Sequence, residues 1–502
     1  MDIPHLPPEP SRAASSVSAA DAAPDRPDAP DAPAASVPPV SQRLVPLIVG
    51  CTLFMQMLDS TVVVTALPMM AQSLHTTTVH LSVAITAYLL ALAVCVPISG
   101  WMADRLGARR VFFWAIALFT LSSVACSMAS TVPQLVLARL VQGAAGAMMV
   151  PVGRLILLRS VPKSDLLRAM SALAVPALLG PVIGPPLGGL IVTTLSWPWI
   201  FLINVPVGVL GLVLVQRYVP DLREQDVPPL DFKGFVLSSI ALATLVGGFE
   251  VIGRDVLSLP QIVGLAAVGA LSGLLYVRHA ARHPHPLIDL QLLRVPTFAV
   301  SVLGGNLCRM AVGSVPFLLA VMLQEIFGFS ALQAGLVTFA SAAGALVMKM
   351  AAPPILRRWG YPRVLRLNAV LTGGAIMACA LFSAQTPAWI MLVVLLAGGF
   401  FRSLQFTAVN TLTYADIAPR DMSRASTFAA MAQQLGISLG VGVAAATLNL
   451  SLLVRGAETP GRPDVIAGLL VVGAMCLASV LSFRALAGDA GASVGGKGSS
   501  PE

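Results

Sequence analysis

Along the chain, apolar residues come in blocks of helical length separated by short polar hinges. Each block approaches the roughly 20 residues that an α-helix needs to cross a hydrocarbon layer. The blocks predict about fourteen spanning helices, near Leu44–Met70, Val79–Ala103, Val111–Met128, Gln134–Leu158, Leu167–Thr193, Trp199–Tyr218, Phe235–Gly253, Leu259–Val277, Thr297–Leu323, Leu332–Met350, Val364–Phe382, Trp389–Thr413, Ala425–Leu450 and Val465–Phe483. The fold class expected is therefore all-α and polytopic, in the lipid bilayer. Residues 1–43 are rich in Pro, Ala, Ser and Asp, lack an apolar signal-peptide core, and read as a disordered tail. Residues 485–502 read the same way.

Composition agrees with this pattern. The chain has 502 residues, 56% hydrophobic and only 11% charged, with a mean hydropathy of +0.84. A soluble protein of this size would need far more charged surface. The net charge of +8 does not point to nucleic acid, because the basic residues concentrate in alternate short loops. Arg105, Arg109, Arg110, Arg159, Lys163, Arg357, Arg358, Arg363, Arg420 and Arg424 fall in one set, whereas the other set holds only Arg254, Arg455 and Arg462. By the positive-inside rule the first set is cytoplasmic, and both termini lie inside. The six cysteines are scattered singly through the apolar blocks and read as small hydrophobes, so neither metal nor redox chemistry is indicated. All six histidines are placed in the tail or loops, and no phosphate-binding G-x-x-x-x-G-K-[ST] occurs. No enzyme chemistry or cofactor is implied, and an ion gradient is the natural energy source.

An internal echo divides the chain. "GWMADRLGARR" (Gly100–Arg110) and "APPILRRWGYPR" (Ala352–Arg363) each leave the second helix of a six-helix group, with Arg105, Gly107 and Arg110 aligned to Arg358, Gly360 and Arg363. Parallel six-helix halves are a transporter architecture. The expected domains are a bundle at 44–219, a two-helix insertion at 220–296 and a second bundle at 297–484.

The candidate chemistry begins with Asp59, a carboxylate inside the first span. A charge at mid-bilayer costs about 2.5–3.5 kcal/mol on insertion scales, so an intramembrane acid is a functional residue by default. A carboxyl that gains a proton from one compartment and loses it to the other is a proton carrier; the alternative is a structural ion pair. Arg139, in "LARLVQGAAGAMMVPVGR", can pair with Asp59, and Gln142, Gly143 and Gly146 share its helical face. Arg154, further along, reads as a snorkelling cation. "LGPVIGPPLGGLIV" carries Gly180, Pro181, Gly184, Pro185, Gly188 and Gly189, as expected of a bent, tightly packed helix at a hinge or seal. In the loop, Gly100 permits close contact, Gly107 a turn, and Asp104 a pair with a basic residue on a neighbouring helix end, beside Arg105 and Arg110. Arg309, Arg402 and Gln405, together with Gln142, are candidates for lining a substrate cavity, with Asn410 beyond. Glu250, Glu325 and Asp416 read as boundary charges. The cavity is expected to hold few fixed charges and many Met and Phe side chains, which suits amphipathic ligands.

These motifs resemble those of a family. "LDSTVVVTALP" is similar to the first-helix motif L-D-x-T-I-V-N-V-A-L-P of 14-helix drug:proton antiporters of the major facilitator superfamily, with Val64 in place of the usual Asn. "GWMADRLGARR", "RLVQGAAGA", "GPVIGPPLGG" and "SWPWIFLINVPVG" resemble further motifs of that family, in the right order on the right helices. Pro198 replaces an arginine in the last of them. The resemblance spans about Leu44 to Phe483 and is nearest the bacterial multidrug-resistance D type. It implies an inner-membrane exporter of small organic molecules, coupled to protons through Asp59 and Arg139 and acting as a monomer. A periplasmic adaptor is left open. So are an exporter of one metabolite or siderophore-like compound, and a membrane-embedded sensor; an importer is disfavoured by the fifth-helix motif.

Overall fold

A computed structural model describes residues 39–76, 81, 83–221, 227–250, 258–329, 331–457 and 460–495. Its helices are α1 (Pro39–Ser73), α2 (Val83–Leu106), α3 (Ala108–Ser127), α4 (Val132–Ser160), α5 (Leu166–Thr194), α6 (Trp199–Tyr218), α7 (Phe232–Glu250), α8 (Leu259–Ala280), α9 (Pro296–Ile326), α10 (Ala331–Trp359), α11 (Tyr361–Leu381), α12 (Ala388–Leu412), α13 (Met422–Arg455) and α14 (Arg462–Phe483). Among the described residues twelve of these are long and apolar enough to cross a membrane; the rest are α5 and α7, the latter with a shorter apolar stretch at Phe232–Gly248. No strand occurs among the described residues. Large apolar side chains such as Trp114, Leu121, Met350 and Leu453 point outward, as a lipid-facing surface requires.

The helices pack as two groups with an inserted pair. Within α1–α6, α1 lies along α5, and α4 packs on both α2 and α3. Within α9–α14, α10 lies along α12, α9 along α13 and α11 along α14. Helix α7 packs on α2 of the first bundle and α13 of the second, while α8 packs chiefly on α7. The Ser239 hydroxyl donates to the Val94 carbonyl at 2.8 Å, and the Trp101 indole donates to the Pro228 carbonyl at 3.0 Å. Asp231 clips the insertion together: its carboxylate accepts from the Gly234 amide at 2.8 Å and contacts His279 Nε2 at 2.8 Å. His279 lies in the last turn of α8 rather than in a loop.

The echo has a backbone counterpart. Gly107 (φ 93°) and Gly360 (φ 76°) each join two helices in a conformation that other residues rarely adopt. The helix before Gly360 is longer than its hydropathy indicates. It runs to Trp359 with Pro353 and Pro354 inside it, so "APPILRRW" is helix and not loop. Two terminal expectations are also corrected. Helix α1 starts at Pro39, inside the segment read as a tail, and Ala492–Gly495 forms a short helix with Val494 fully buried. Apolar Leu486 and Val494 give this stretch something to bury, which the remaining polar tail lacks. Residues 1–38 and 496–502 lie outside the described set.

At the end that carries the basic loops, four hydrogen bonds join the bundles. Ser99 meets Thr427 at 3.4 Å, and the Ser423 hydroxyl donates to the Gly100 carbonyl at 3.0 Å. The Ser426 hydroxyl donates to the Pro151 carbonyl at 2.9 Å, and Arg154 donates to the Tyr414 hydroxyl at 3.3 Å. The main apolar core continues through both bundles there. At the far end, Leu58, Val62, Met70, Ile200 and Phe201 form a separate cluster within the first bundle.

Candidate functional site

Asp59 lies on α1, fully buried between α3, α4 and α6. Arg139 Nη1 donates to its Oδ2 at 2.6 Å and to Gln142 Oε1 at 2.6 Å. The other carboxylate oxygen, Oδ1, accepts from Gln142 Nε2 at 3.1 Å and from Asn204 Nδ2 at 2.9 Å. Both amides also donate to Ser123 Oγ, at 2.8 and 3.2 Å. Three donors on an acceptor-only group match an ionised carboxylate. The Arg139 guanidinium stacks 4.4 Å from the centre of the Tyr88 ring. That approach depends on Gly143, where a Cβ would come within 2.3 Å of the Tyr88 carbonyl.

The fifth-helix glycines bring α5 against the same stretch of α1. A Cβ at Gly180 would fall 2.7 Å from Met57 Cβ, and one at Gly184 would fall 2.1 Å from Thr61 Oγ1. Asp59 thus lies between two α5 contacts along the sequence. Gly188 is buried, whereas Gly189 has open space where its Cβ would be. Helix α5 is continuous through Pro181 and Pro185, whose side chains lie outside the described set. It also touches α10 and α12 of the other bundle.

The expected loop is a single residue, Gly107: Gly100, Asp104 and Arg105 end α2, and Arg110 begins α3. Gly100 is the close approach: a Cβ there would lie 2.4 Å from Thr427 Oγ1. Asp104 pairs with Arg159, near the end of neighbouring helix α4, at 3.1 Å. Arg105 and Arg110 are exposed.

Of the four cavity candidates, three meet. Arg309, Arg402 and Gln405 line one small cavity of about 90 Å³ together with Phe406. Gln142 does not line it. Its amide is fully buried in the Asp59 network, because the face it shares with Arg139 looks towards α1. The expectation of few fixed charges also needs correction. Arg154, Arg309 and Lys349 are all buried inside the bundles. Lys349 had drawn no notice in the sequence because it stands at the end of the hydropathic block; the helix continues ten residues further, to Trp359. Asn204 and Ser123 were also missed. Asn204 is the polar residue inside "FLINVPVG", and this was the available signal. Asp231, His279 and His283 could each bring one ligand atom within 4.8 Å of the others. Asp231 is already taken up by backbone amides and by His279, which favours a structural clip.

The apolar helices and the buried polar network fit a membrane transporter. Residues 49–441 match the Major Facilitator Superfamily, and the chain belongs to that family. It is 41% identical over 409 residues to MdtD of Salmonella typhi, covering 80% of this chain and 86% of the relative. It is 40% identical, over the same length and shares, to MdtD of Salmonella typhimurium. The name of both relatives assigns them, provisionally, to multidrug resistance. Among solved structures, the human organic anion transporter MFSD10 (TETRAN) matches 89% of this chain and 100% of its own, with TM-score 0.62 and 16% identity. The proton:xylose symporter XylE matches 88% and 95%, with TM-score 0.59 and 14% identity. At these identities the two structures show the fold alone.

Proposed function

We infer that the chain is a proton-coupled exporter of small amphipathic organic compounds, working by alternating access in a bacterial inner membrane. The carrying observation is the Asp59–Arg139 pair, an ion pair at 2.6 Å with both side chains almost wholly withdrawn from solvent. The resemblance to MdtD and the Gly/Pro-rich α5 support the direction of transport. The basic loops face the cytoplasm in this reading, so the hydrogen bonds at their end close the cytoplasmic side. The described arrangement is then the state that releases substrate.

Coupling follows from the hydrogen-bond inventory. A proton can reach Asp59 only where one of its donors turns away, since each oxygen already accepts from a buried side chain. Protonation removes the charge that holds Arg139, and so loosens α1 from α4. Helix α5 is locked to α1 through Gly180 and Gly184 and touches the second bundle, so it transmits the change. The proton leaves on the cytoplasmic side, Arg139 recaptures the carboxylate, and the cycle resets. Each proton moved inward supplies about 2.3 kcal/mol per 100 mV of membrane potential. The test is substrate-induced proton release from purified protein. Release from the wild type and none from Asp59→Asn is the expected result; an unchanged pH-dependent response in the variant would remove Asp59 from the mechanism.

A further inference from the structure

We propose that the chamber around Phe406 in the second bundle binds the negatively charged group of an organic anion, which makes the exported compounds anionic amphiphiles. The assignment rests on the exporter reading and narrows its substrate class. Two cations flank the Phe406 ring, Arg309 and Lys349, and Arg402 joins Arg309, but not Lys349, in lining the adjoining cavity. Arg309 and Lys349 are 6% and 5% exposed, and each places its charge 5.8 Å from the centre of the Phe406 ring. Arg402 shares a cavity with Arg309, Gln405 and Phe406. Arg154, from the first bundle, approaches the same region through Tyr414, a residue of the second bundle.

Their partners are all neutral. Arg309 donates to the Asn410 side-chain oxygen at 2.7 Å and to that of Asn306 at 3.3 Å, and its Nε has no partner. Lys349 donates to Thr407 Oγ1 at 2.6 Å. Among the described residues no carboxylate forms an ion pair with Arg154, Arg309, Lys349 or Arg402. The carboxylates of this half stand at helix ends, as Asp416 does beside Thr297 and Asp464 beside Arg455. A lysine can shed its proton in such a place, but a guanidinium cannot. Buried cations without counter-charge are costly, and a mobile anion supplies what the fold omits. The cavity of about 90 Å³ accommodates one carboxylate or phosphate group, since a water occupies about 30 Å³. The apolar remainder of the ligand would extend between the bundles. Phe406, Val409 and Ile437 give the chamber the apolar wall that such a remainder needs.

The test is isothermal titration of the purified full chain with phthalate, phenylphosphate and benzyltrimethylammonium, a cation of similar size. Saturable binding of either anion is expected, weakened at least tenfold in Arg309→Gln and in Lys349→Met and largely retained in Arg309→Lys; the stronger anion tells carboxylate from phosphate. Circular dichroism and elution volume report whether each variant is folded. Binding of the cation alone, binding of neither anion, or anion binding unchanged in Arg309→Gln overturns the proposal. Movement of the bound anion in proteoliposomes under an imposed pH gradient tests the exporter reading separately. An anion that binds but ignores the gradient leaves the site standing and sinks the coupling.

Discussion

In the first bundle Arg139 meets a carboxylate at 2.6 Å; in the second Arg309 meets only the side-chain oxygens of Asn410 and Asn306. Both arginines stack on an aromatic ring, Tyr88 in one case and Phe406 in the other. The difference lies in what balances them. Around Asp59 the charge is neutralised in place by Arg139, with Gln142 and Asn204 adding hydrogen bonds, although Arg139 Nε, like Arg309 Nε, has no partner. Around Phe406 the positive charge is left over. In the proposed reading, one bundle holds and exchanges a proton, and the other is completed by an anion from outside.

That contrast can be broken by substitution. The largest effect is expected for Asp59→Asn: gradient-driven transport in proteoliposomes should fall to background, while the protein stays folded. Arg139→Ala should cost about 3–5 kcal/mol of stability, because it strands a buried carboxylate, and Asp59→Asn in the same chain should restore most of it; thermal unfolding in detergent measures both. Lys349→Met should do the opposite. Removing an uncompensated cation should stabilise the protein by on the order of 1–3 kcal/mol, and a loss of stability there would mean that the bond to Thr407 outweighs the cost of the buried charge. Gly184→Ala should cost about 1–3 kcal/mol through its clash with Thr61, whereas Gly189→Ala, with open space at its Cβ, should be close to neutral.

The smallest effect concerns pH and lies outside both bundles. Burial of Asp231 favours its neutral form, but bonds from the Gly234 amide, His279 and the Leu287 amide outweigh this and hold its pKa below the ordinary carboxyl value. A depressed carboxyl pKa contributes stability that is present above the unfolded value of about 3.9 and fades as pH falls through the folded one. Melting temperature should therefore decline more steeply below about pH 4 in the wild type than in Asp231→Asn.

The spanning helices were legible because apolar length is a one-dimensional property. Asp59 and Arg139 were legible for a related reason: a charge inside such a block is conspicuous. Asn204 and Ser123 were not, since a small neutral polar residue in a helix acquires meaning only when three other helices converge on it. Lys349 was hidden by the hydropathic edge. The block fades near Met350, while the helix carries on and leaves the lysine side chain inside. Gln142 was placed on the right face, but the sequence does not say which neighbour that face meets. The motif showed its glycines clearly; that Asp104 would find Arg159, and that Gly100 would meet Ser423, required the packing.

The short helix at Ala492–Gly495 touches α5, the turn at Lys163–Asp165 and α10, so this segment straddles the two halves. Under the proposed alternating access, a purification handle fused directly after it would press on surfaces that slide past one another. A flexible spacer avoids that load. A fluorophore placed there instead, paired with one on a basic loop, would turn the rocking of the bundles into a signal that can be timed.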